Sequence, residues 1–378
     1  MESLEAHEDT KRYAQEITVD QINEIITWSD AIVRASPEEY KFLAKKIKDA
    51  AFRRDTLQKL KECESYCSDK SVDDIEHKIY ETLDNVMMEY NTNTELKEYK
   101  YLVDDIVADI DSVRLGDKNL IKFPFSILND YVVMEPGECV CFAAPAKAGK
   151  SSILLTILYS LLKQGKSVLY VDSEISTRLF TMRLLAHMTD IPFGAIRSGT
   201  YGEVEKSRID EAVDWLKQKR FIHEYVPIMD DNTLWMLAKK AKHLIDMDVI
   251  IVDYLKANSN DDQAFSVYMS LGRVTDMLKN KIAGDMKVCA VTAAQTNDAG
   301  KIADSSKIAR NVSTVVTITE KDPASLDPNN KFDTRKARVT YNRNGAQMPE
   351  NDWIDMCFDG SHCRYWESEH QHDKVTPF

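Results

Sequence analysis

The chain of 378 residues lacks any hydrophobic run long enough to cross a lipid bilayer. Its longest apolar run, residues 153–162, is interrupted by Thr156 and Ser160. The acidic N-terminal segment has no apolar core of the kind that secretory signals contain. We therefore expect a protein that has no membrane partner and is located in the cytoplasm.

The sequence also lacks cysteines and histidines at the spacing of a zinc site, and it has no excess of basic residues. The seven cysteines include no CxxC pair and are not accompanied by histidines at zinc-ligand spacing, so we expect free thiols. The 49 Lys and Arg residues are outnumbered by 62 Asp and Glu, which gives a formal net charge of −13. This charge argues against a protein whose whole surface binds nucleic acid, but it still allows a narrow basic channel.

Glycine and proline are almost absent from residues 18–114, where charged residues alternate with apolar residues at helical spacing. This pattern predicts a helical N-terminal domain over residues 1–92. The break at 91–93 and Thr94, a candidate N-terminal cap, predict a linker helix over residues 93–116.

After Gly116, short apolar and β-branched runs alternate with amphipathic segments. Such runs, bounded by Gly, Asp, Asn or Lys, are typical of buried strands in a mainly parallel sheet. Residues 117–378 are therefore predicted to form an α/β domain. The predicted strands are ECVCFAAP, SVLYVDSE, RFIHEYVP, VIIVDYL, KVCAVTAAQT, TVVTITE and ARVTYNR.

The segment AAPAKAGKSS at 143–152 lies between the first of these strands and a helical run, as a phosphate-binding loop does. The usual motif has glycine where this chain has Ala144, so a turn with a capping serine is the alternative. In a phosphate loop, backbone amides would surround the β-phosphate, Lys150 would reach the β- and γ-phosphates, and Ser151 would ligate magnesium. The candidate nucleotide-binding residues are Ala146, Lys147, Ala148, Gly149, Lys150, Ser151 and Ser152.

Acidic residues end two other predicted strands. Asp253 ends VIIVD, where a second magnesium ligand would lie. Asp172 and Glu174 lie two residues apart at the end of SVLYVDSE and are predicted to share one strand face, so that either could orient an attacking water. An ordinary capping or solvated role at a strand end is the alternative for each.

Two further polar residues complete the pattern of a nucleotide hydrolase. Gln295 follows an apolar strand and is predicted to sense the γ-phosphate, with a surface glutamine as the alternative. Arg343 precedes Asn344 and Gly345 in a predicted tight hairpin turn. In a ring of subunits, its guanidinium could reach the γ-phosphate of a neighbouring subunit; a solvated arginine is the alternative.

In order and approximate spacing, these segments resemble the DnaB-type replicative DNA helicases, whose motor domain has the RecA-like fold. The matching segments are AAPAKAGKSS, YVDSEIS, IRSGTY, VIIVDYL, AAQTN, ADSSKIARNVSTVV and YNRNGAQ. Alanine at the first loop position also occurs in that family. The resemblance implies a homohexameric, ATP-dependent helicase that uses Mg²⁺, binds single-stranded DNA, and has primase and a helicase loader as further partners.

Residue by residue, the resemblance assigns Lys150 and Ser151 to nucleotide and magnesium, and Asp253 to the metal. It assigns water activation to Glu174 rather than Asp172, γ-phosphate sensing to Gln295 and the trans-acting arginine to Arg343. A loop that faces the central channel in the family corresponds here to residues 303–308, where a simple connecting loop is the alternative. The candidate DNA-binding residues of that loop are Asp304, Ser305, Ser306 and Lys307.

Two features depart from the family pattern. Tyr341 stands where the family commonly has a lysine, which implies a weaker clamp on the γ-phosphate. The helical N-terminal part is also shorter than in the family, and this suggests a phage or mobile-element version that acts in the host cytoplasm. A recombination ATPase of the RecA or RadA type, or an ATP-binding helicase loader, are the alternative functions.

Overall fold

The structure is a computed structural model that describes residues 37–68, 74–90, 98–115, 120–253, 272–296, 306–369 and 371. The chain divides into two compact units, Met1–Ile110 and Asp111–Phe378. The predicted boundaries at 92 and 116 remain predictions.

The described part of the first unit is helical, as the scarcity of glycine and proline predicts. Helix α1 (Pro37–Ser68) and helix α2 (Ile75–Tyr90) pack together, and the rings of Phe52 and Tyr90 meet edge to face at 5.4 Å. A single 3-10 turn, Tyr99–Tyr101, precedes helix α3 (Val103–Leu115), in which the boundary between the units falls. The predicted linker helix is therefore α-helical from Val103, and Thr94 lies outside the described residues.

The second unit is built on one sheet, which has nine strands among the described residues. In chain order they are β1 (Cys139–Ala144), β2 (Val168–Asp172), β3 (Phe221–Tyr225), β4 (Val249–Asp253), β5 (Cys289–Gln295), β6 (Thr314–Glu320), β7 (Arg335–Asn342), β8 (Ile354–Asp359) and β9 (Arg364–Glu367). The spatial order is β3-β2-β4-β5-β1-β6-β7-β8-β9. The first six strands in this order run parallel, and the pairings from β6 to β9 are antiparallel.

Helices cover both faces of the sheet because its central strands are apolar on both sides. On β1, Val140 and Phe142 belong to one hydrophobic cluster, whereas Cys139 and Cys141 belong to the other. This alternation follows from the two-residue period of a strand. The further helices are α4 (Leu128–Tyr131), α5 (Lys150–Lys163), α6 (Thr177–Thr189), α7 (Phe193–Ser198), α8 (Glu203–Lys217), α9 (Asp231–Ile245), a π-helical segment (Met277–Asp285), α10 (Ser306–Asn311) and a 3-10 turn (Pro323–Ser325).

The structure confirms the predicted α/β class with a mainly parallel sheet. All seven predicted strands are present as β1 to β7. All seven cysteines are free thiols, as their spacing predicts. None of the helices within the described ranges is long and apolar enough to cross a membrane.

Candidate nucleotide-binding site

The loop between β1 and α5 has the geometry of a phosphate-binding loop. Gly149 has φ of +91°, and a Cβ atom there would lie 2.8 Å from the ring of Phe358, so glycine is required on both counts. Ala144 ends β1 in register with Gln295, and its φ is not positive. Alanine is therefore unstrained at the first motif position. Helix α5 begins at Lys150 and directs its N-terminal amides towards the space above the loop.

A cavity of about 490 Å³ lies above this loop. Its lining residues are Ala146, Lys147, Gly149, Lys150, Ser151, Ser152, Glu174, Arg183, Phe193, Gln295, Gly360 and Cys363. The cavity thus brings together the predicted loop residues with Glu174 and Gln295 from two other strand ends. Ala148 is the exception among the loop residues, because it is buried beneath the loop, where the hydroxyl of Tyr365 donates to its carbonyl.

Lys150 is half-buried at the start of α5. Its ammonium group donates to the carbonyl of Pro145 at 3.1 Å and to that of Ala144 at 3.5 Å. Burial lowers the pKa of Lys150, while the nearby carboxylates of Glu174 and Asp253 act in the opposite direction. An ammonium group held in this way is a cationic donor for the phosphates of a nucleotide.

Asp253 ends β4 beneath the cavity and is 1% exposed. Tyr170 donates a hydrogen bond of 2.8 Å to Oδ2 of Asp253, and Oδ1 has no hydrogen-bond partner within the described part of the chain. Burial, and next the charge of Asp172, raise the pKa of Asp253 to about 7, whereas Tyr170 and the Ser151 side chain lower it.

The Asp253 and Ser151 side chains fit a magnesium ion. A buried carboxylate oxygen without a partner and a nearby hydroxyl are hard oxygen ligands, and Mg²⁺ binds to proteins through one or two such ligands together with phosphates and water. Among the described residues no group of three or more His, Cys, Asp or Glu side chains could hold a metal by itself. One carboxylate and one hydroxyl leave the other coordination positions of an octahedral Mg²⁺ to phosphates and water.

The structure gives Asp172 and Glu174, the two acids that could each orient water, different surroundings. Strand β2 ends at Asp172, so Glu174 lies in the bend beyond it, and the predicted shared strand face is wrong. Asp172 is fully buried, and its Oδ1 accepts hydrogen bonds of 2.8 Å from the amides of Glu174 and Ile175. Glu174 is exposed and lines the cavity, so it is the acid that can meet a water molecule there.

Gln295 and Arg343 lie in different surroundings. Gln295 is the exposed last residue of β5 and lines the cavity. Arg343 is exposed and is not among the lining residues of this cavity, and its guanidinium donates to the carbonyl of Arg310 at 2.8 Å. A single chain therefore does not place Arg343 at its own site. Tyr341, near the end of β7, pairs with Val315 in the sheet.

The predicted tight hairpin at Arg343 is wrong. Gly345 does not have the positive φ that a two-residue hairpin turn of this kind needs, and β8 begins only at Ile354. The physical reason lies in Asn342, whose side-chain amide donates to the carbonyls of Tyr131 and Ala346 and so holds the chain in an open bend.

The predicted DNA-contacting residues are only partly described. Asp304 and Ser305 lie outside the described residues. Ser306 and Lys307 are the first two residues of α10. Their role in binding DNA remains a prediction.

Four cavity residues were not found by sequence reasoning. Arg183 lies on α6, Phe193 begins α7, and Gly360 and Cys363 lie in the turn between β8 and β9. This turn reaches the cavity because β9 packs on α5, where the amide of Tyr365 donates to the Thr156 hydroxyl at 3.1 Å. No local motif marks a residue that arrives through such a long-range contact.

Comparison with known proteins agrees with this geometry. A family model described as the DnaB-like helicase C-terminal domain matches residues 124–365. The replicative DNA helicase DnaB of Helicobacter pylori is 22% identical over 278 residues, which cover 71% of this chain and 56% of that protein. A protein of Chlamydia psittaci named "Probable plasmid replicative DNA helicase" is 23% identical over 171 residues, which cover 45% of this chain and 37% of that protein. The chain thus spans at most little more than half the length of these relatives.

Two solved structures share the fold. One, described as an ATPase domain, has a TM-score of 0.61 at 14% identity, with 71% of this chain and 99% of that chain covered. A DnaB-like replicative helicase, described together with its interactions with primase, has a TM-score of 0.65 at 14% identity, with 88% of this chain and 80% of that chain covered. At such identities the likeness supports the fold alone.

Proposed function

The chain belongs to the family of the DnaB-like helicase C-terminal domain, and we propose that it is an ATP-dependent DNA helicase that assembles as a homohexameric ring and moves along single-stranded DNA. The observation that carries the proposal is the cavity in which Lys150 and Ser151 meet Glu174 and Gln295, with the buried Asp253 beneath. Family membership favours this function over a recombination ATPase or a helicase loader, and a binding module alone needs no acid that can orient water.

The proposed reaction is the attack of water on the γ-phosphate of ATP, which breaks the bond from phosphorus to the β–γ bridging oxygen and releases ADP and inorganic phosphate. Glu174 orients the water and accepts its proton, and the loop amides and Lys150 hold the phosphates and offset the charge that develops on them. Gln295 contacts the γ-phosphate at the end of β5. Mg²⁺, held by Ser151 and Asp253, would neutralise part of the phosphate charge.

Arg343 is proposed to act on the ATP of a neighbouring subunit. It is exposed, lies outside its own cavity, and its guanidinium donates to a backbone carbonyl, that of Arg310. A guanidinium that reaches across a head-to-tail interface stabilises charge in the transition state and makes hydrolysis depend on assembly.

Single-stranded DNA is the proposed track, and residues 304–307 are its proposed contacts through backbone amides and Lys307. Such contacts release counterions, so DNA binding should weaken as salt concentration rises. We also propose primase and a helicase loader as partners, and the cytoplasm, or that of a phage host, as the location.

ATP hydrolysis by Lys150→Ala tests the proposal. We expect this variant to lose hydrolysis with and without single-stranded DNA, because the ammonium group that meets the phosphates is gone. Lys163→Ala, at the exposed far end of the same helix, is the matched control and should keep the wild-type rate. Normal turnover by Lys150→Ala would contradict the assignment of the site. A wild-type protein that hydrolyses ATP but does not separate a forked duplex would contradict the helicase activity.

A further inference from the structure

The bend that carries Glu174 is held by the side chain of Asp172. Its Oδ1 accepts two hydrogen bonds of 2.8 Å, one from the amide of Glu174 and one from the amide of Ile175. Hydrogen bonds from amides to a carboxylate are stronger than those between neutral groups. The position of the Glu174 backbone is therefore set by one buried side chain at the end of β2.

The second oxygen of the same carboxylate faces His223 on β3. Asp172 Oδ2 lies 3.9 Å from His223 Nε2, and the two side chains are 1% and 5% exposed. Within the described residues neither atom has a hydrogen-bond partner. The imidazole is also fixed from its other sides, because it stacks on Phe180 with ring centroids 3.9 Å apart and its Nδ1 lies 3.2 Å from the hydroxyl of Thr177.

These contacts bracket the segment that includes Glu174. Asp172 holds its start from β2, while Thr177 begins α6 directly after it and is tied to β3 through His223. A buried carboxylate oxygen without a hydrogen-bond partner destabilises the fold, and so does the unpaired nitrogen opposite it. Buried polar groups without a hydrogen-bond partner are rare in native structures, and a role in catalysis is one explanation for them.

We propose that Asp172 and His223 are positioning residues for ATP hydrolysis: Asp172 fixes the backbone of Glu174, and the buried ring of His223 packs against the second oxygen of Asp172 and confines that side chain. Neither residue lines the cavity or touches the nucleotide. This inference rests on the proposed function, in which Glu174 orients the attacking water. Of the two acids in the sequence DSE, Asp172 would thus hold Glu174 in place.

The test is the kinetics of ATP hydrolysis by substituted full-length protein. For Asp172→Ala we expect kcat to fall roughly 100-fold, because a small displacement of a catalytic group is enough for such a loss, while KM stays within about twofold. Asp172→Asn keeps an oxygen that can accept both amide hydrogen bonds and should recover most of kcat. Asp214→Ala, an exposed acid on α8 that pairs with Lys217, is the control and should match wild type.

His223→Phe provides a second variant that retains the stacking on Phe180 and removes both ring nitrogens. This variant should also lower kcat and keep KM within about twofold of the wild-type value. If Asp172→Ala does not fold, His223→Phe tests the positioning role by itself. The inference is overturned if either folded variant keeps kcat near the wild-type value. It is overturned as well if KM rises with kcat unchanged, or if Asp172→Asn is as impaired as the alanine variant.

Glu174→Gln, measured in the same series, separates this inference from the proposed function. Loss of turnover in Glu174→Gln together with normal turnover in Asp172→Ala and His223→Phe defeats the positioning role alone. Normal turnover in Glu174→Gln defeats the assignment of Glu174 on which both depend.

Discussion

Burial determines how readily the carboxyl group of Asp253 ionises. Its side chain is almost fully enclosed and lies in register with Asp172, a second buried acid, so its charged form is disfavoured. Burial, the charge of Asp172 and, to a smaller extent, the charge of Glu174 raise its pKa from 3.8 to about 7, against the opposing effect of the hydroxyls of Tyr170 and Ser151. A cation bound to this carboxylate would offset the solvation that burial removes.

The raised pKa of Asp253 gives a prediction at this scale. The folded protein retains this proton between about pH 4 and 7 while the unfolded chain loses it, so the free energy of unfolding falls as pH rises through that range. In metal-free protein at about pH 8, Asp253→Asn should therefore raise Tm, and the difference from wild type should vanish towards about pH 4. Thermal denaturation across this pH range measures the effect. Equal Tm values of wild type and Asp253→Asn at about pH 8 would contradict this prediction.

Binding of Mg²⁺ provides the complementary readout. Because a metal ligand must be deprotonated, the affinity of the wild-type protein for Mg²⁺ and nucleotide together should rise with pH through about 7. Asp253→Asn should lose that dependence along with the affinity.

At the scale of elements, the hairpin of β8 and β9 supports the phosphate loop from below. The hydroxyl of Tyr365 donates to the carbonyl of Ala148, and the stacked ring of Phe358 contacts Gly149. Tyr365 is 3% exposed, so water cannot replace its hydrogen bond readily. A strand pair that lies far from the loop in sequence therefore helps to shape it.

This support predicts the effect of Tyr365→Phe. The substitution leaves the buried carbonyl of Ala148 without its donor, which should reduce the free energy of unfolding by about 1–3 kcal/mol. It should also weaken nucleotide binding, because the loop loses a fixed contact. Denaturant unfolding and fluorescent-nucleotide titration measure the two effects. Tyr225→Phe, at an exposed tyrosine, should change neither, and an equal effect of both substitutions would contradict the account.

Elements with a strong local pattern were predictable from the sequence, and others were not. Strands β1 to β7 were predicted because apolar, β-branched runs identify them. Strands β8 and β9 were missed, since Ile354–Asp359 mixes acids with apolar residues and Arg364–Glu367 is short and charged at both ends. Their place in the sheet comes from antiparallel pairing at its edge, which no local period reveals.

In the candidate site, too, some features were predictable from the sequence and others were not. Lys150, Ser151, Glu174 and Gln295 were predicted because parallel strands bring their carboxyl ends to one edge of the sheet, where the structure places all four around one cavity. The separate surroundings of Asp172 and Glu174 were not predictable, because they depend on where β2 ends and on the hydrogen bonds of Asp172. The bend at Arg343 likewise depends on tertiary contacts made by the preceding asparagine.

At the scale of the whole molecule, ATP hydrolysis is proposed to depend on assembly. One chain carries the phosphate loop, the acids and Gln295 at one cavity, but its Arg343 lies elsewhere. If that arginine completes a neighbour's site, then ATP hydrolysis belongs to an interface and not to a subunit. Such an interface is heterologous, and it closes into a ring when the rotation between subunits allows it.

The most direct measurement is the rate of ATP hydrolysis in an equimolar mixture of Arg343→Ala and Glu174→Gln proteins, compared with each protein alone. In mixed rings, about one quarter of the interfaces would pair an intact Glu174 with an intact Arg343 from the next subunit. We predict that the mixture hydrolyses ATP much faster than either protein alone. A control mixture with Arg338→Ala in place of Arg343→Ala should hydrolyse ATP at the average rate of its two components. A mixture no faster than the average of its separate components would contradict the shared site.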